Sequence, residues 1–217
     1  MRWGINNSHM DNDLRNRLRE TYNRHAQARE ASAPQPWKLE ERLNFLKLVQ
    51  PEEKQNLLEI GAGPGRDGKF FQNHGLDVVC IDLSPEMVGL CRQKGLKAYL
   101  MDAVKLAFSQ NSFDAVYALN SLLHLPKAEL PEALKGIHRV LRPQGLFYLG
   151  VYGGFDFEGV WDNDGYEPKR FFSFFTDEHL RNVAEDTFDL DSFRNIPVDQ
   201  EKPGLHFQSL ILRRRTS

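Results

Sequence analysis

The stretch LLEIGAGPGRDG at residues 57–68 decides the fold of this chain. An apolar run ends in Glu59 and Ile60, and four glycines follow within the eight residues from Gly61 to Gly68. Because glycine has no Cβ, a backbone rich in it can turn tightly and approach a ligand closely. An apolar strand, a glycine turn and a helix in this order are typical of parallel α/β sheets, in which ligands bind beyond the carboxyl ends of the strands. We therefore expect a ligand beside Gly61.

Strand and helix patterns alternate after this turn. The apolar runs predict strands at 56–60, 77–82, 97–101, 113–119, 146–152, 188–196 and 205–213. Strands this apolar, separated by helices, imply a parallel sheet covered on both faces, which is an α/β fold. Pro203 and Gly204 precede the last strand, so we expect the last two strands to pair antiparallel at the sheet edge.

Length and pattern divide the chain into three parts. Its 217 residues suffice for one full α/β domain with a cap, but are few for two independent domains. Residues 1–10 contain Ser8-His9-Met10, which resembles a cloning scar, so we expect a vector-derived or disordered leader there. Helical periodicity predicts an N-terminal helical cap over 11–50, and residues 51–217 are expected to form the main domain.

Composition argues against several kinds of partner. A net charge of −2 gives no field that would attract nucleic acid or an anionic membrane. No apolar run approaches the roughly 20 residues of a membrane span, and no signal-peptide pattern is present. Cys80, Cys91 and the scattered histidines lack metal-ligand spacing. We expect a cytoplasmic monomer or homodimer with no metal, no nucleic-acid partner and no membrane partner.

The glycine turn matches two ligand patterns in different registers. Residues 63–68 fit the dinucleotide pattern G-x-G-x-x-G. In dinucleotide-binding proteins, however, the first glycine of that pattern directly follows the strand. In this chain Gly61 holds that place, so the pattern in register is Gly61-x-Gly63-x-Gly65.

This arrangement resembles the first motif of class I S-adenosylmethionine (SAM) dependent methyltransferases, an acid followed by G-x-G-x-G. The likeness extends from about residue 38 to 215, and it is greatest to the small-molecule branch, with NSLLHL at 120–125 and FFSFFTDE at 171–178. The resemblance implies a Rossmann-like sheet of seven mostly parallel strands with an antiparallel last strand. It also implies SAM as the cofactor and methyl transfer to an oxygen or nitrogen of a small molecule.

The resemblance also assigns roles to residues at the strand ends. Asp82 would bind the ribose hydroxyls, because a carboxylate accepts strong hydrogen bonds from hydroxyl groups. Asp102 and Ala103 would contact the adenine. Asn120 would lie in the motif behind the methionine part of the cofactor. The helix carrying Tyr22 would close over the cofactor, and Tyr22 or Arg29 could reach it. The full set of expected cofactor contacts is Tyr22, Glu59, Gly61, Ala62, Gly63, Gly65, Asp82, Leu83, Met87, Asp102, Ala103 and Asn120.

The acceptor side is less defined by the sequence. Methyl transfer needs a base only if the acceptor must lose a proton, and His124, just past the fourth strand, is the candidate. The same position suits a histidine that caps the loop before Pro126 or packs against the cofactor. The segment 153–175 is expected to be a long connection whose eight aromatic residues either line an acceptor pocket or cover the sheet edge. Its acids could meet a cationic amine or stay in solvent.

Two other functions remain open at this point. A non-catalytic SAM-binding or regulatory domain would have the same cofactor loop, because methyl transfer does not require a particular side chain. An NAD-dependent oxidoreductase is less favoured, since the glycines are out of register and a Tyr-x-x-x-Lys pair is missing.

Overall fold

The computed structural model describes residues 7–198 and 204–216, without the side chains of residues 7–11. The expected leader thus lies partly outside the described residues, and its last four positions belong to the first helix. The elements in chain order are α1 (Asn7–Ala31), α2 (Pro36–Val49), β1 (Asn56–Ile60), α3 (Arg66–Asn73), β2 (Asp77–Asp82), α4 (Pro85–Gln93), β3 (Lys97–Leu100), β4 (Phe113–Leu119), α5 (Leu130–Val140), β5 (Leu141–Gly153), β6 (Phe157–Val160), β7 (Phe171–Phe174), α6 (Asp177–Glu185), β8 (Asp189–Pro197) and β9 (His206–Arg213).

Seven of these strands form one twisted sheet in the order β3-β2-β1-β4-β5-β9-β8. β1 pairs parallel with β2 on one side and with β4 on the other. β9 runs antiparallel to both β5 and β8. The predicted fold class is confirmed: an α/β sheet, mostly parallel, with an antiparallel last strand. From β1 the strand order proceeds to β2 and β3 on one side, whereas β4 and β5 are added on the other side of β1. The crevice between β1 and β4 is therefore the topological switch point, where ligands of such sheets bind.

Both faces of the sheet are buried. Neighbouring residues Leu57 and Leu58 of β1 belong to cores on opposite faces, and both are fully buried. The core on the Leu57 side includes Tyr117 and Tyr148, whose stacked rings have centroids 4.5 Å apart. The core on the Leu58 side includes Leu134 of α5. Since each face is covered, the open edge available to a ligand is the one at the strand ends.

The segment 153–175 differs from the expected irregular connection. β6 and β7 pair antiparallel as a separate two-stranded sheet. Its aromatic side chains pack against one another; Phe157 and Phe174 lie 5.7 Å apart, and Phe157 and Trp161 lie 4.9 Å apart between ring centroids. This mutual packing, together with the buried Ser173 hydroxyl that donates to the carbonyl oxygen of Leu125 (2.7 Å), gives the segment regular structure.

Helix α1 lies across the carboxyl edge of the main sheet. Its Arg19 donates to the carbonyl oxygen of Leu83 after β2 (3.2 Å), and Asn23 accepts from the hydroxyl of Ser84 (2.6 Å). Thr21, fully buried, reaches the carbonyl oxygen of Pro168 in the β6–β7 connection at 2.6 Å. The helix is therefore held in place by polar contacts to loops, and it covers the switch point.

Candidate active site

A cavity of about 350 Å³ opens at the carboxyl ends of β1, β2 and β4. Predicted residues from α1, the glycine turn and the loops after three further strands line it together. They are Tyr22, Glu59, Gly61, Ala62, Gly63, Asp82, Leu83, Asp102, Ala103, Asn120 and His124. The strand-end positions converge because parallel strands end at the same edge of the sheet.

The glycines of the turn have different uses. Gly61 has φ +68°, and a Cβ there would overlap the Cβ of Ser121 after β4, so this glycine permits close packing of two loops. Gly63 has φ +54°, and the space where its Cβ would point is open, with the Nη2 of Arg29 nearest at 3.8 Å. Bare backbone at Gly63 therefore faces the cavity.

Two predicted contacts do not line the cavity. Gly65 begins α3 in the left-handed conformation, and a Cβ on it would meet the Sγ of Cys91 at 2.8 Å in the packing against α4. Met87 is fully buried among Ala26 and Leu90, between α1 and α4. Both residues pack behind the walls of the cavity, and the cofactor contact expected of them stays a prediction.

Asp82 at the end of β2 is held by backbone donors. Its two carboxylate oxygens accept from the backbone N–H groups of Gly63 and Ser84, each at 2.9 Å. Burial raises the pKa of Asp82, and these two N–H donors oppose that effect. A carboxylate oxygen has two acceptor sites, so each oxygen of Asp82 can accept one further hydrogen bond from a diol in the cavity.

The cavity is also lined by an acidic pair, Glu59 and Asp67. Glu59 is buried, and burial raises its pKa well above the ordinary value, with the nearby charge of Asp67 adding to the effect. Burial also raises the pKa of Asp67, but its ion pair with Arg42 (3.1 Å) counteracts this. Asp67, in the first turn of α3, thus has a counterion of its own.

Asp102, in the loop after β3, is bound by Arg15 of helix α1. It accepts from the Nε of Arg15 and from the backbone N–H of Val104 (2.9 Å), and Arg15 also donates to Glu129 at 2.7 Å. This clasp, formed by Arg15 with Asp102 and Glu129, was not predicted from the sequence. The signal was present, because Arg15, Tyr22 and Arg29 recur every seven residues and therefore share one face of a helix.

Asn120 has the most unusual environment in the cavity. Its φ is +54°, and its backbone N–H donates to the carbonyl oxygen of Gly150 at 2.7 Å. Both amide atoms of its side chain are buried and have no hydrogen-bond partner, as does the hydroxyl of neighbouring Ser121. An unpaired buried polar group costs about 1–3 kcal/mol, so these atoms indicate a place for polar groups of a ligand.

His124 lies at the far end of the cavity with both ring nitrogens engaged. Nδ1 lies 2.8 Å from the carbonyl oxygen of Phe171, which can only accept, so Nδ1 carries the hydrogen. Nε2 then accepts from the hydroxyl of Tyr22 at 2.7 Å, and Arg170 donates to that same hydroxyl oxygen at 3.2 Å. Burial and the charge of Arg170 lower the pKa of His124 to about 3, so the ring is neutral.

A second cavity of about 400 Å³ adjoins the first. The residues that line both cavities are Tyr22, Arg29, Gln35, Lys38, Asn120 and His124. Aromatic side chains form much of the remaining wall; they are Tyr152, Trp161, Tyr166, Phe172 and Phe174. Four of the eight aromatic residues of 153–175 thus line a cavity, while the other four do not.

Among the described residues, no group of His, Cys, Asp and Glu is arranged to hold a metal ion. The helices of the described ranges include none that is both long and apolar enough to cross a membrane.

The strand order, the glycine turn after β1 and the acids after β2 and β3 around one cavity are the arrangement typical of class I SAM-dependent methyltransferase domains. Residues 58–149 match the family described as Methyltransferase domain. The match covers β1 to β5 and includes the glycine turn, Asp82, Asp102, Asn120 and His124.

Several known proteins with similar sequences are named as methyltransferases. An uncharacterized methyltransferase of Schizosaccharomyces pombe is 33% identical over 119 residues, which are 51% of this chain and 45% of that protein. A demethylmenaquinone methyltransferase of Renibacterium salmoninarum is 38% identical over 102 residues, which are 45% of this chain and 41% of that protein. The chain therefore spans about half the length of the curated relatives it matches.

The fold extends the likeness to nearly the whole chain. The 1,6-didemethyltoxoflavin-N1-methyltransferase of Burkholderia thailandensis, solved with 1,6-didemethyltoxoflavin and S-adenosylhomocysteine bound, has a TM-score of 0.72. The superposition covers 95% of this chain and 91% of that one at 21% identity. At this identity the likeness establishes a shared fold.

Proposed function

We propose that the protein binds SAM in the first cavity and transfers its methyl group to a small molecule in the second. The observation that carries this proposal is the boundary shared by the two cavities, where Tyr22, Asn120 and His124 meet. Transfer between two bound molecules requires such a junction, because the donor and acceptor atoms must come within about 3–3.5 Å in line.

The residues of the first cavity fit this cofactor. Asp82 has free acceptor sites for a ribose diol, and bare backbone at Gly63 leaves room for the nucleoside. The unpaired amide of Asn120 and the partnerless Nε of Arg29 suit the polar amino-acid end. The adenine would lie near Asp102 and Ala103. When bound, SAM supplies a methyl group on a positively charged sulfur, which needs no metal to react.

The chain contributes alignment and exclusion of water to the reaction. Helix α1 covers the junction, and the clasp between Arg15 and Asp102 holds it there. Water that is kept away from the reacting atoms can neither compete with the acceptor nor weaken the electrostatic interactions.

For His124 we propose a positioning role. Its Nε2 is occupied by the hydroxyl of Tyr22, so direct removal of a proton from the acceptor would require Tyr22 to move away. The hydroxyl of Tyr22, oriented by His124 and Arg170, retains one acceptor site that can receive a hydrogen bond from the O–H or N–H of an acceptor. Tyr22 thus touches the acceptor, and His124 acts through it.

Calorimetry with S-adenosylhomocysteine (SAH), the product form of the cofactor, tests the proposal. Asp82→Ala should weaken SAH binding about 10- to 100-fold, since hydrogen bonds to a charged group contribute roughly 1.5–3 kcal/mol. Asp77→Ala is the matched control, because this exposed acid begins the same strand, and it should leave the affinity unchanged.

Two results would contradict the proposed function. Tight binding of NAD with no response to SAH would favour the oxidoreductase alternative. Normal SAH binding with no conversion of methyl-labelled SAM to SAH, in the presence of a broad set of small phenols, acids and amines, would favour a non-catalytic SAM-binding domain.

A further inference from the structure

The second cavity has an excess of positive charge. Asp164 is the acid among its lining residues, and three donors of Arg170 occupy it: the backbone N–H and Nε at 2.9 Å and Nη2 at 2.6 Å. This pair is internally neutral. Glu158, another acid of the hairpin, does not line the cavity and accepts from the backbone N–H of Lys127. A cationic acceptor would find no free carboxylate among the described lining residues.

Arg29 and Lys38 are the cations that remain. Neither forms an ion pair with a carboxylate among the described side chains, residues 12–198 and 204–216. Arg29 donates from Nη1 to the hydroxyl of Tyr166 at 3.1 Å, while its Nε is buried without a partner. The ammonium of Lys38 lies 5.2 Å from the ring centre of Trp37. Burial, with the charge of Arg29, lowers the pKa of Lys38 to about 8, and the negative charge of Asp67 opposes this shift.

Both cations line both cavities, and they differ in their distance from the glycine turn. The Nη2 of Arg29 is the atom nearest to the open side of Gly63, so Arg29 lies beside the cofactor turn. If the proposed function holds, the carboxylate of the cofactor neutralises Arg29. The charge of Lys38 then has no directly paired carboxylate at the junction with an aromatic cavity, because Asp67, the acid that acts on it from a distance, is itself paired with Arg42. A partly buried charge without a direct partner is unfavourable.

We propose that the methyl acceptor is a planar or aromatic molecule with a carboxylate or comparable anionic group, and that Lys38 binds this group. The aromatic walls formed by Trp161, Phe172 and Phe174 would contact the ring. This assignment rests on the proposed function and deepens it, because it names the chemical class of the acceptor.

Matched pairs of acids and amides test the charge directly. The probes are salicylate with salicylamide and 4-hydroxybenzoate with 4-hydroxybenzamide, titrated at millimolar concentration into the SAH-loaded protein and followed by ligand-observed NMR. At least one acid should bind about tenfold more tightly than its neutral amide, the contribution of a charge-assisted hydrogen bond. Lys38→Met should abolish this preference, and Lys38→Arg should retain it.

Lys47→Met is the control, because Lys47 is exposed on the same helix and lines neither cavity. SAH affinity, measured on each variant, should change less than about twofold, well below the contribution of one ionic hydrogen bond. Equal binding of acids and amides, or no binding of any acid to the SAH-loaded protein, would overturn the proposal. Loss of SAH affinity in Lys38→Met would overturn it too, since Lys38 would then hold the cofactor. Failure of the wild type to bind SAH would instead reject the proposed function.

Discussion

At the scale of single residues, His124 has a fixed tautomer and a fixed charge. The carbonyl oxygen of Phe171 requires a hydrogen on Nδ1, and the hydroxyl of Tyr22 requires a lone pair on Nε2. A protonated ring would lose the second bond and place a charge near Arg170. The fold therefore stabilises neutral His124 over the whole pH range in which histidines ordinarily titrate.

This neutrality predicts how stability depends on pH. The pKa of His124 is about 3 in the folded protein and about 6.5 in the unfolded chain. Between these values only the unfolded chain binds the proton, so stability falls as the pH falls, by about 1.4 kcal/mol per pH unit. Urea unfolding at pH 7 and pH 5 should show that wild type loses about 2 kcal/mol more than His124→Gln.

The control for this comparison is His74→Gln, since His74 is exposed on the surface. It should keep the wild-type dependence on pH. An equal loss of stability in wild type and His124→Gln would show that His124 titrates normally in the folded state, and the positioning role would then lose its basis.

At the scale of elements, strands were easier to predict than the parts that cover them. β1, β2 and β4 have the predicted bounds, because each is a short, nearly continuous apolar run buried on both faces. The hairpin β6–β7 was expected to be irregular, because its consecutive phenylalanines hide the alternation typical of a strand.

Helix α2 shows why a local pattern can fail. Helical spacing from the buried Leu46 would place Leu43 on the same apolar face, but Leu43 is 41% exposed, whereas Glu41 is buried. Glu41 accepts from the hydroxyls of Tyr148 on β5 and Ser209 on β9, and it pairs with Arg194 at 2.6 Å. These partners lie more than 100 positions away in the sequence, so no local periodicity could indicate that an acid would be the buried residue.

The clasp of α1 gives a prediction at the element scale. Arg15→Met removes the charged contacts to Asp102 and Glu129, each of which is largely buried. Loss of a charge-assisted pair of this kind should lower the local opening free energy by about 1–2 kcal/mol. Hydrogen exchange of the α1 amides, read by mass spectrometry, should become about 5- to 30-fold faster.

Arg17→Met is the matched control, since Arg17 is exposed on the same helix. It should leave exchange of the α1 amides near the wild-type rate. If Arg15→Met behaves like Arg17→Met, the helix is held by its other contacts and the clasp contributes little.

At the scale of the whole molecule, the two cavities differ in how far the sequence predicts them. Most expected cofactor contacts line the first cavity, because each follows a strand end and all strand ends meet at one edge. The cationic second cavity was not foreseen. It depends on how α1, α2 and the hairpin are arranged around the junction, and that arrangement comes from contacts between distant segments such as Thr21 with Pro168.

The same contact predicts that the two cavities communicate. Helix α1 touches the cofactor cavity through Tyr22 and the β6–β7 connection through Thr21 and Arg29. A ligand that orders α1 should therefore also order residues 161–170, since binding that rigidifies one element stabilises those packed on it. In wild type, SAH should slow amide exchange in both α1 and 161–170.

Thr21→Val removes the bond to Pro168 at nearly constant volume, and it should leave the protection of α1 intact while reducing that of 161–170. Arg17→Met, at an exposed position of the same helix that lines neither cavity, should keep both effects. Equal protection of 161–170 in Thr21→Val and wild type would mean that SAH orders this segment by another route, so the Thr21–Pro168 contact would not connect the two cavities.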